Sequence, residues 1–283
     1  MVGTAQLQVR TLGAAEVRRG GCLVQWRADS ARTLFFYLLA HPEGRSREHI
    51  LEVLWQTVPS SSANNRFRVT VHRIRVALGW PGAVLEEHGR YRLAPEVLRA
   101  SDIYVFYQAL EWAERAQAPW ARLRCYQQAL ELYRGEFLPQ EEAEWVGETR
   151  ERLRAAYVQA ELAVSRLFCQ LRECPAAVAA LSRALHTDPY LGEDQHQRLM
   201  VCLAAVKGKY AAIEHYRRFL RFLREELGDS PMPETVELAE RIKCGHAVGW
   251  PADAGFDCPL LREPPPKPST EAPLVRQIGL ERP

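Results

Sequence analysis

The residues best suited to specific chemistry lie close together between Ala63 and Leu78. This segment holds four arginines and no aspartate or glutamate. An arginine fork can bind guanine or phosphate, an asparagine amide can pair with adenine, and a valine or threonine methyl can touch thymine. The candidate contact residues for double-stranded DNA in this segment are Asn65, Arg66, Arg68, Val69, Thr70, His72, Arg73 and Arg75.

The same segment has the period of an amphipathic helix. Phe67, Val71, Ile74 and Leu78 are separated by four, three and four residues. At about 100° per residue they form one apolar stripe, which we expect to pack inward. A solvated basic face on an ordinary bundle helix remains open as the alternative, because most charged helix faces have that meaning.

A hairpin signal follows this helix and favours DNA binding. Residues 84–87 and 90–93 flank a His88-Gly89 turn, and Gly79 to Gly82 supply a helix stop and a linker. Such a hairpin resembles a wing, with Arg90 and Arg92 as further candidates for contact with DNA. Tyr91 alternates to the opposite face, where it would pack on the helices.

The elements before the basic helix complete the order of a winged helix-turn-helix. Short apolar segments separated by Gly13 and by Gly20-Gly21 predict a small antiparallel sheet, with no helix before Asp29. Asp29 or Ser30 is expected to cap a first helix, and Ser46 a second. The order of sheet, two helices, basic helix and hairpin matches a module that places one helix in a DNA groove.

The charge is distributed unevenly along the chain. The whole protein of 283 residues has a net charge of +2, but residues 1–99 carry 14 arginines and lysines against 8 acids, a net of +6. The remainder carries 23 basic and 27 acidic residues, a net of −4. This asymmetry indicates a nucleic-acid-binding end. Frequent arginine use also follows from a GC-rich genome, so this alternative stays open.

From Ser101 onward, strand signals give way to amphipathic helices. Asp102 and Pro119 begin two of them, and a long helix is expected from about Gln140 to Leu171. The sequences AAVAALSRAL at 176–185 and AAIEHYRRFL at 211–220 match at an offset of 35 residues. A period near 34 with paired helices is typical of tetratricopeptide repeats. The fold class predicted is mainly α with a small β component, a winged helix-turn-helix followed by an all-helical tetratricopeptide-like domain.

The predicted domains are a DNA-binding domain at 1–97, a helical domain at 98–243 and a proline-rich disordered tail at 244–283. The sequence EPPPKP in the tail is also compatible with a polyproline ligand. No segment is long and apolar enough to span a membrane, and the N-terminus lacks a basic run followed by a hydrophobic stretch. A soluble cytoplasmic protein without membrane contact is therefore expected.

Chemistry with a cofactor or a metal has little support in the sequence. The seven cysteines lack the CxxC pairs of zinc sites, although Cys169 with Cys174, or Cys244 with His246 and Cys258, leave weak metal alternatives. No phosphate-binding loop, dinucleotide fingerprint, HExxH or GxSxG motif occurs. We expect neither a catalytic site, nor a bound cofactor, nor a metal.

Two regions resemble one family of regulators. Residues 28–94 resemble the OmpR-type winged helix of the Streptomyces antibiotic regulatory protein family, through RTLFFYLLAHPEGRSREHILEVLW, SSANNRFRVTVHRIRVALG and HGRYRL. Residues from about 98 to 243 resemble its bacterial transcriptional activator domain, through FYQAL, CYQQALELYRGEFLP and HYRRFLRFLREELGDSPMPETVELAERI. The resemblance implies that Ala63 to Leu78 form the recognition helix and that RYRL belongs to the wing.

The leading hypothesis is a sequence-specific DNA-binding transcriptional activator. The family resemblance implies dimeric or tandem binding to direct repeats near promoters and contact with RNA polymerase. The alternative is a protein-interaction scaffold whose winged helix does not read DNA sequence. The basic face argues against that alternative, since the core of a protein–protein interface is usually depleted in charge.

Overall fold

A computed structural model describes residues 7–246 and divides them into two compact units. The first unit comprises residues 7–168 and 175–191, and the second comprises residues 169–174 and 192–246. The predicted tail lies outside the described residues beyond residue 246, as does Cys258. No helix among the described residues is long and apolar enough to cross a membrane.

The first unit begins with the predicted antiparallel sheet. Its strands are β1 (Leu7–Arg10), β2 (Glu16–Arg19) and β3 (Cys22–Leu23), in that order across the sheet. Val9 and Val17 face each other in the register and are both buried. Their alternation with polar neighbours is typical of a sheet that covers a core with one face.

Two helices follow, with one difference from the sequence prediction. The first, α1 (Asp29–Ala40), is capped by Ala28 without a side-chain hydrogen bond, so neither Asp29 nor Ser30 is the N-cap. Asp29 instead lies in the first turn, where a negative charge is favourable to the helix dipole. The second, α2 (Arg47–Trp55), is capped as predicted, because the Ser46 hydroxyl accepts from the His49 N–H at 3.2 Å.

The basic helix and the hairpin also form as predicted. Helix α3 (Ser61–Leu78) leads through a 3₁₀ turn (Pro81–Ala83) into β5 (Val84–Glu87) and β6 (Arg90–Leu93). A short strand that the sequence did not suggest, β4 (Arg45–Ser46), pairs with β6 on its other side. The wing is therefore the middle and one edge of a three-stranded sheet in the order β4-β6-β5.

The rest of the first unit is helical. It contains α4 (Pro95–Arg99), α5 (Asp102–Arg115), α6 (Pro119–Leu132), most of α7 (Glu144–Gln170) and most of α8 (Cys174–Thr187). Helices α5 and α6 pack against each other. Trp112 of α5 is 46% exposed.

One continuous core joins the winged helix to these helices. It runs from Leu34 and Ile74 to Phe106, Phe137 and Leu153, all of them fully buried. The predicted boundary between residues 97 and 98 therefore falls inside one packed unit and stays a prediction.

The carboxylate of Asp102 also connects the start of the helical region to the N-terminal part of the chain. Asp102, at the start of α5, accepts hydrogen bonds from the Thr11 N–H at 2.6 Å, the Thr11 hydroxyl at 2.7 Å and the Leu12 N–H at 2.9 Å. Thr11 and Leu12 are buried, so their donors depend on this carboxylate. Isolated β-bridges from Val9 to Ser101 and from Leu12 to Phe137 lie beside it.

The second unit carries the later helical repeat. Helices α9 (Glu193–Lys207) and α10 (Lys209–Phe222) pack against each other, and α11 (Pro233–Lys243) packs on both. A π-helical turn (Leu223–Leu227) ends α10. Helix α10 begins 35 residues after α8, which agrees with the offset seen in the sequence.

Candidate nucleic-acid interface

Helix α3 is held rigidly by contacts at both ends and along one face. The Ser60 hydroxyl accepts from the Ala63 N–H at 3.1 Å, and Gly79 ends the helix in the left-handed conformation with φ +62°. The predicted stripe of Phe67, Val71, Ile74 and Leu78 is buried throughout. A rigid helix presents its outward side chains in a fixed geometry, as base recognition requires.

The outward face of α3 is exposed and basic. Six of the predicted contact residues are exposed on it, namely Asn65, Arg66, Arg68, Val69, His72 and Arg73. Within the described residues, no carboxylate lies within 4.0 Å of the Arg68 or Arg73 guanidinium. Their donors are thus available to an outside acceptor such as a phosphate or a guanine edge.

Two exposed valines interrupt this basic face. Val69 is 38% exposed and Val76 is 44% exposed, one above the other at a spacing of seven residues. An apolar side chain between arginines can contact the thymine methyl in the major groove. The face therefore offers charged, polar and apolar contacts within one helix.

Arg66 is already oriented by an aromatic neighbour. Its guanidinium carbon lies 4.7 Å from the Trp55 ring centroid. A guanidinium at this distance from an aromatic ring is attracted by the electrons of the ring face. Trp55, at the end of α2, thereby links the two helices of the helix-turn-helix.

In the structure, Thr70 does not lie on the exposed face of α3. Thr70 is 1% exposed, and its hydroxyl donates to the Arg66 carbonyl at 2.8 Å within the same helix. Neither its methyl nor its hydroxyl reaches solvent, so Thr70 does not lie with the exposed candidates, and its contact with a base stays a prediction.

Replacing Thr70 by valine should leave DNA affinity within about twofold and lower the free energy of unfolding by about 1 kcal/mol, the usual contribution of one hydrogen bond. Fluorescence anisotropy with labelled DNA and urea denaturation measure the two quantities. Val69→Ala, on the exposed face, is the comparison. A tenfold loss of affinity in a folded Thr70→Val protein would return Thr70 to the interface.

Arg75 and the two wing arginines are engaged within the protein. Arg75 donates to the Val84 carbonyl at 2.8 Å and so fastens α3 to β5. Arg90 donates to the Gly44 carbonyl at 3.0 Å and 3.3 Å, and Arg92 forms a forked pair with Glu87 at 2.7–3.1 Å. Each of these bonds holds the wing sheet in place, and DNA contact by these three arginines stays a prediction.

The wing turn has the backbone that its residues favour. His88 and Gly89 both have positive φ, +52° and +75°. Two consecutive residues of this kind form the tight hairpin turn whose twist matches the flanking strands. Tyr91 packs edge-on against Phe67 at a ring separation of 4.6 Å, as predicted from the strand alternation.

Sequence reasoning missed Arg47 as a member of this surface. Burial raises the pKa of the Tyr91 hydroxyl, while the charges of Arg47 and Arg68 lower it, so both arginines lie near that ring. Arg47 is the first residue of α2 and also pairs with Glu48 at 3.0 Å. Arg47 is half-buried, and its charge acts on the same tyrosine as the charge of Arg68 in α3. The signal that the sequence offered for Arg47 was its position directly after the Ser46 N-cap of α2.

The described residues hold no candidate metal cluster beside this surface. Among residues 7–246, no three histidine, cysteine or acidic side chains are grouped so as to hold a metal ion. The weak metal alternative that included Cys258 lies outside the described residues.

Comparisons with known proteins identify a family and several proteins that this chain resembles. A family model described as the bacterial transcriptional activator domain matches residues 101–243. Regulatory protein AfsR of Streptomyces griseus is 29% identical over 271 residues, which cover 93% of this chain and 27% of that protein. AfsR of Streptomyces coelicolor is 28% identical over 244 residues, covering 83% and 24%. This chain spans about a quarter of the length of these two relatives.

A solved structure shares the fold. EmbR of Mycobacterium tuberculosis, in complex with a low-affinity phosphopeptide, superposes with a TM-score of 0.68 at 21% identity, covering 86% of this chain and 66% of that one. The predicted fold class, a winged helix followed by a helical domain, is confirmed. Because the family model matches half of its residues, the chain belongs to the bacterial transcriptional activator domain family.

Proposed function

We propose that this regulator is a sequence-specific DNA-binding activator that reads direct repeats near promoters. Helix α3 enters the major groove, and the hairpin of β5 and β6 lies on the backbone or in the minor groove. The observation that carries the proposal is the outward face of α3, where Arg68 and Arg73 are exposed without a carboxylate partner within the described residues. This pattern suits phosphate and base contact and has no packing role.

Salt dependence tests whether this face binds DNA. The proposal predicts that the logarithm of the association constant falls with the logarithm of salt by about 0.9 for each phosphate contacted. A slope of about −3 or steeper, measured by anisotropy at several salt concentrations, would indicate three or more phosphates. A slope near zero would contradict binding through the arginines and would favour the scaffold hypothesis.

The helical residues from 98 to 243 are proposed to make the contacts between protomers and with RNA polymerase. The name of the matched domain, a transcriptional activator domain, supports this assignment. A purified transcription assay tests it, with the bound promoter and RNA polymerase as the only other macromolecules. Stimulation of transcript synthesis by the full chain is expected, and repression of the same promoter would contradict activation.

A further inference from the structure

The first unit contains a cavity that the proposed recognition of DNA does not use. Its volume is about 540 Å³, within the usual range of small-molecule sites. The end of α1 and the following Pro42-Glu43 turn form one side, and α5 and α7 form the other. It therefore lies where the winged helix packs on the helical segment.

The inside of this cavity is mostly apolar. Leu39 and Ile103 are buried in its wall, while Tyr104 and Tyr107 are 37% and 40% exposed. Partly exposed aromatic rings above aliphatic side chains are typical of sites that bury the apolar body of a ligand.

One cation faces the cavity without a carboxylate partner. Arg152 donates to the Thr149 hydroxyl at 3.3 Å, and no carboxylate of the described residues lies within 4.0 Å of its guanidinium. Arg152 lines the same cavity as Tyr107, and its charge opposes the rise that burial causes in the pKa of the Tyr107 hydroxyl.

The two acids that also line the cavity are each paired with an arginine. Glu43 pairs with Arg45 at 2.6 Å, and Glu111 pairs with Arg115 one helical turn away. Neither pair involves Arg152. The uncompensated charge of the wall is therefore positive.

We propose that this cavity binds a small amphipathic anion, with an aromatic or aliphatic body against Leu39, Ile103 and the two tyrosines and a carboxylate or similar head on Arg152. The arginine fork suits a planar oxyanion, and the Thr149 and tyrosine hydroxyls can complete its hydrogen bonds. The inference goes beyond DNA recognition, and a test without DNA can fail without affecting the proposed function.

A neighbouring cavity of about 720 Å³ shows why the charge matters. It lies between α2 and the start of α7, and its wall includes Glu52, Glu144 and Glu148, none of which has an ion-pair partner among the described residues. An anion would be repelled there. We therefore do not expect this second cavity to bind the anion.

Two dyes with nearly the same aromatic body test the proposal on the full chain. Anilinonaphthalene sulfonate is an anion, and phenylnaphthylamine is its neutral counterpart. Fluorescence titration should give one site for each dye. Arg152→Gln should lower the affinity for the anionic dye by about tenfold and leave the affinity for the neutral dye unchanged. Arg152→Lys should restore most of the lost affinity for the anionic dye.

Two further variants locate the site and control for charge. Tyr107→Ala should weaken both dyes, because it removes part of the wall common to their bodies. Arg166→Gln, an exposed arginine of α7 outside the cavity, should change neither. Equal anion affinity in the wild type and Arg152→Gln would overturn the proposal, as would an equal loss in Arg166→Gln. Circular dichroism checks that each variant is folded.

Discussion

Replacing Arg68 and Arg73 together by alanine is expected to weaken specific DNA binding by about 2 to 6 kcal/mol, a loss of roughly thirtyfold to twenty-thousandfold. Both guanidinium groups lie on the exposed face of α3 without a carboxylate within 4.0 Å among the described residues. Their removal costs no internal ion pair, so the fold should be kept. Anisotropy with labelled DNA at constant salt measures the effect.

A matched variant separates recognition from a general loss of charge. Arg124→Ala with Arg166→Ala removes two exposed arginines from α6 and α7, and no ion pair of either is seen in the described chain. DNA affinity should change by less than about threefold, because such charges act only through the screened long-range field. An equal loss in both double variants would mean that α3 contributes only bulk charge.

Replacing Asp102 by alanine should lower the free energy of unfolding of the first unit by about 2 to 5 kcal/mol. The substitution leaves the Thr11 N–H, the Thr11 hydroxyl and the Leu12 N–H without their acceptor, and both residues are buried. A buried donor without a partner costs about 1 to 3 kcal/mol, which water entry at the half-buried carboxylate reduces. Urea denaturation followed by circular dichroism measures the change.

Asp229→Ala is the control for the loss of one acid. Among the residues that the structure describes, the Asp229 carboxylate accepts only from its neighbour, the Ser230 N–H, in an exposed loop. Its replacement should cost less than about 0.5 kcal/mol, as is usual for surface changes. If Asp102→Ala proved as mild as this control, the contact between the first strand and α5 would not hold the two segments together.

The pattern of α3 was predictable from sequence because burial follows the helical angle. Taking Phe67 as zero and about 100° per residue, the other three stripe residues lie within about 40° of it. Arg68, His72 and Arg73 lie about 100° or more away, and all three are exposed.

Two predicted contact residues of α3 make hydrogen bonds inside the protein, and both lie at the edge of the stripe. Thr70 and Arg75 are each only about 40° beyond its outermost members. At that angle, a side chain is buried or exposed according to how far the neighbouring elements extend over the edge of the helix. The sequence of α3 does not reveal that extent. Thr70 is buried with its hydroxyl satisfied by the helix backbone, and Arg75 reaches the Val84 carbonyl.

The wing and the junction depended on partners far away in sequence. Arg90 donates to the Gly44 carbonyl, 46 residues earlier, and Asp102 binds Thr11, 91 residues earlier. Local periodicity predicts elements but carries no information about such distant pairs. The short strand β4 was missed for the same reason, since only its pairing with β6 defines it.

Selection from a random DNA library with the full chain, followed by titration of the winner against scrambled DNA at two salt concentrations, tests the central claim most directly. The account predicts a direct-repeat motif, bound at least about a hundredfold more tightly than scrambled sequence. The double variant Arg68→Ala with Arg73→Ala should lose that preference. Equal, weak binding of both DNAs would contradict sequence-specific recognition by α3.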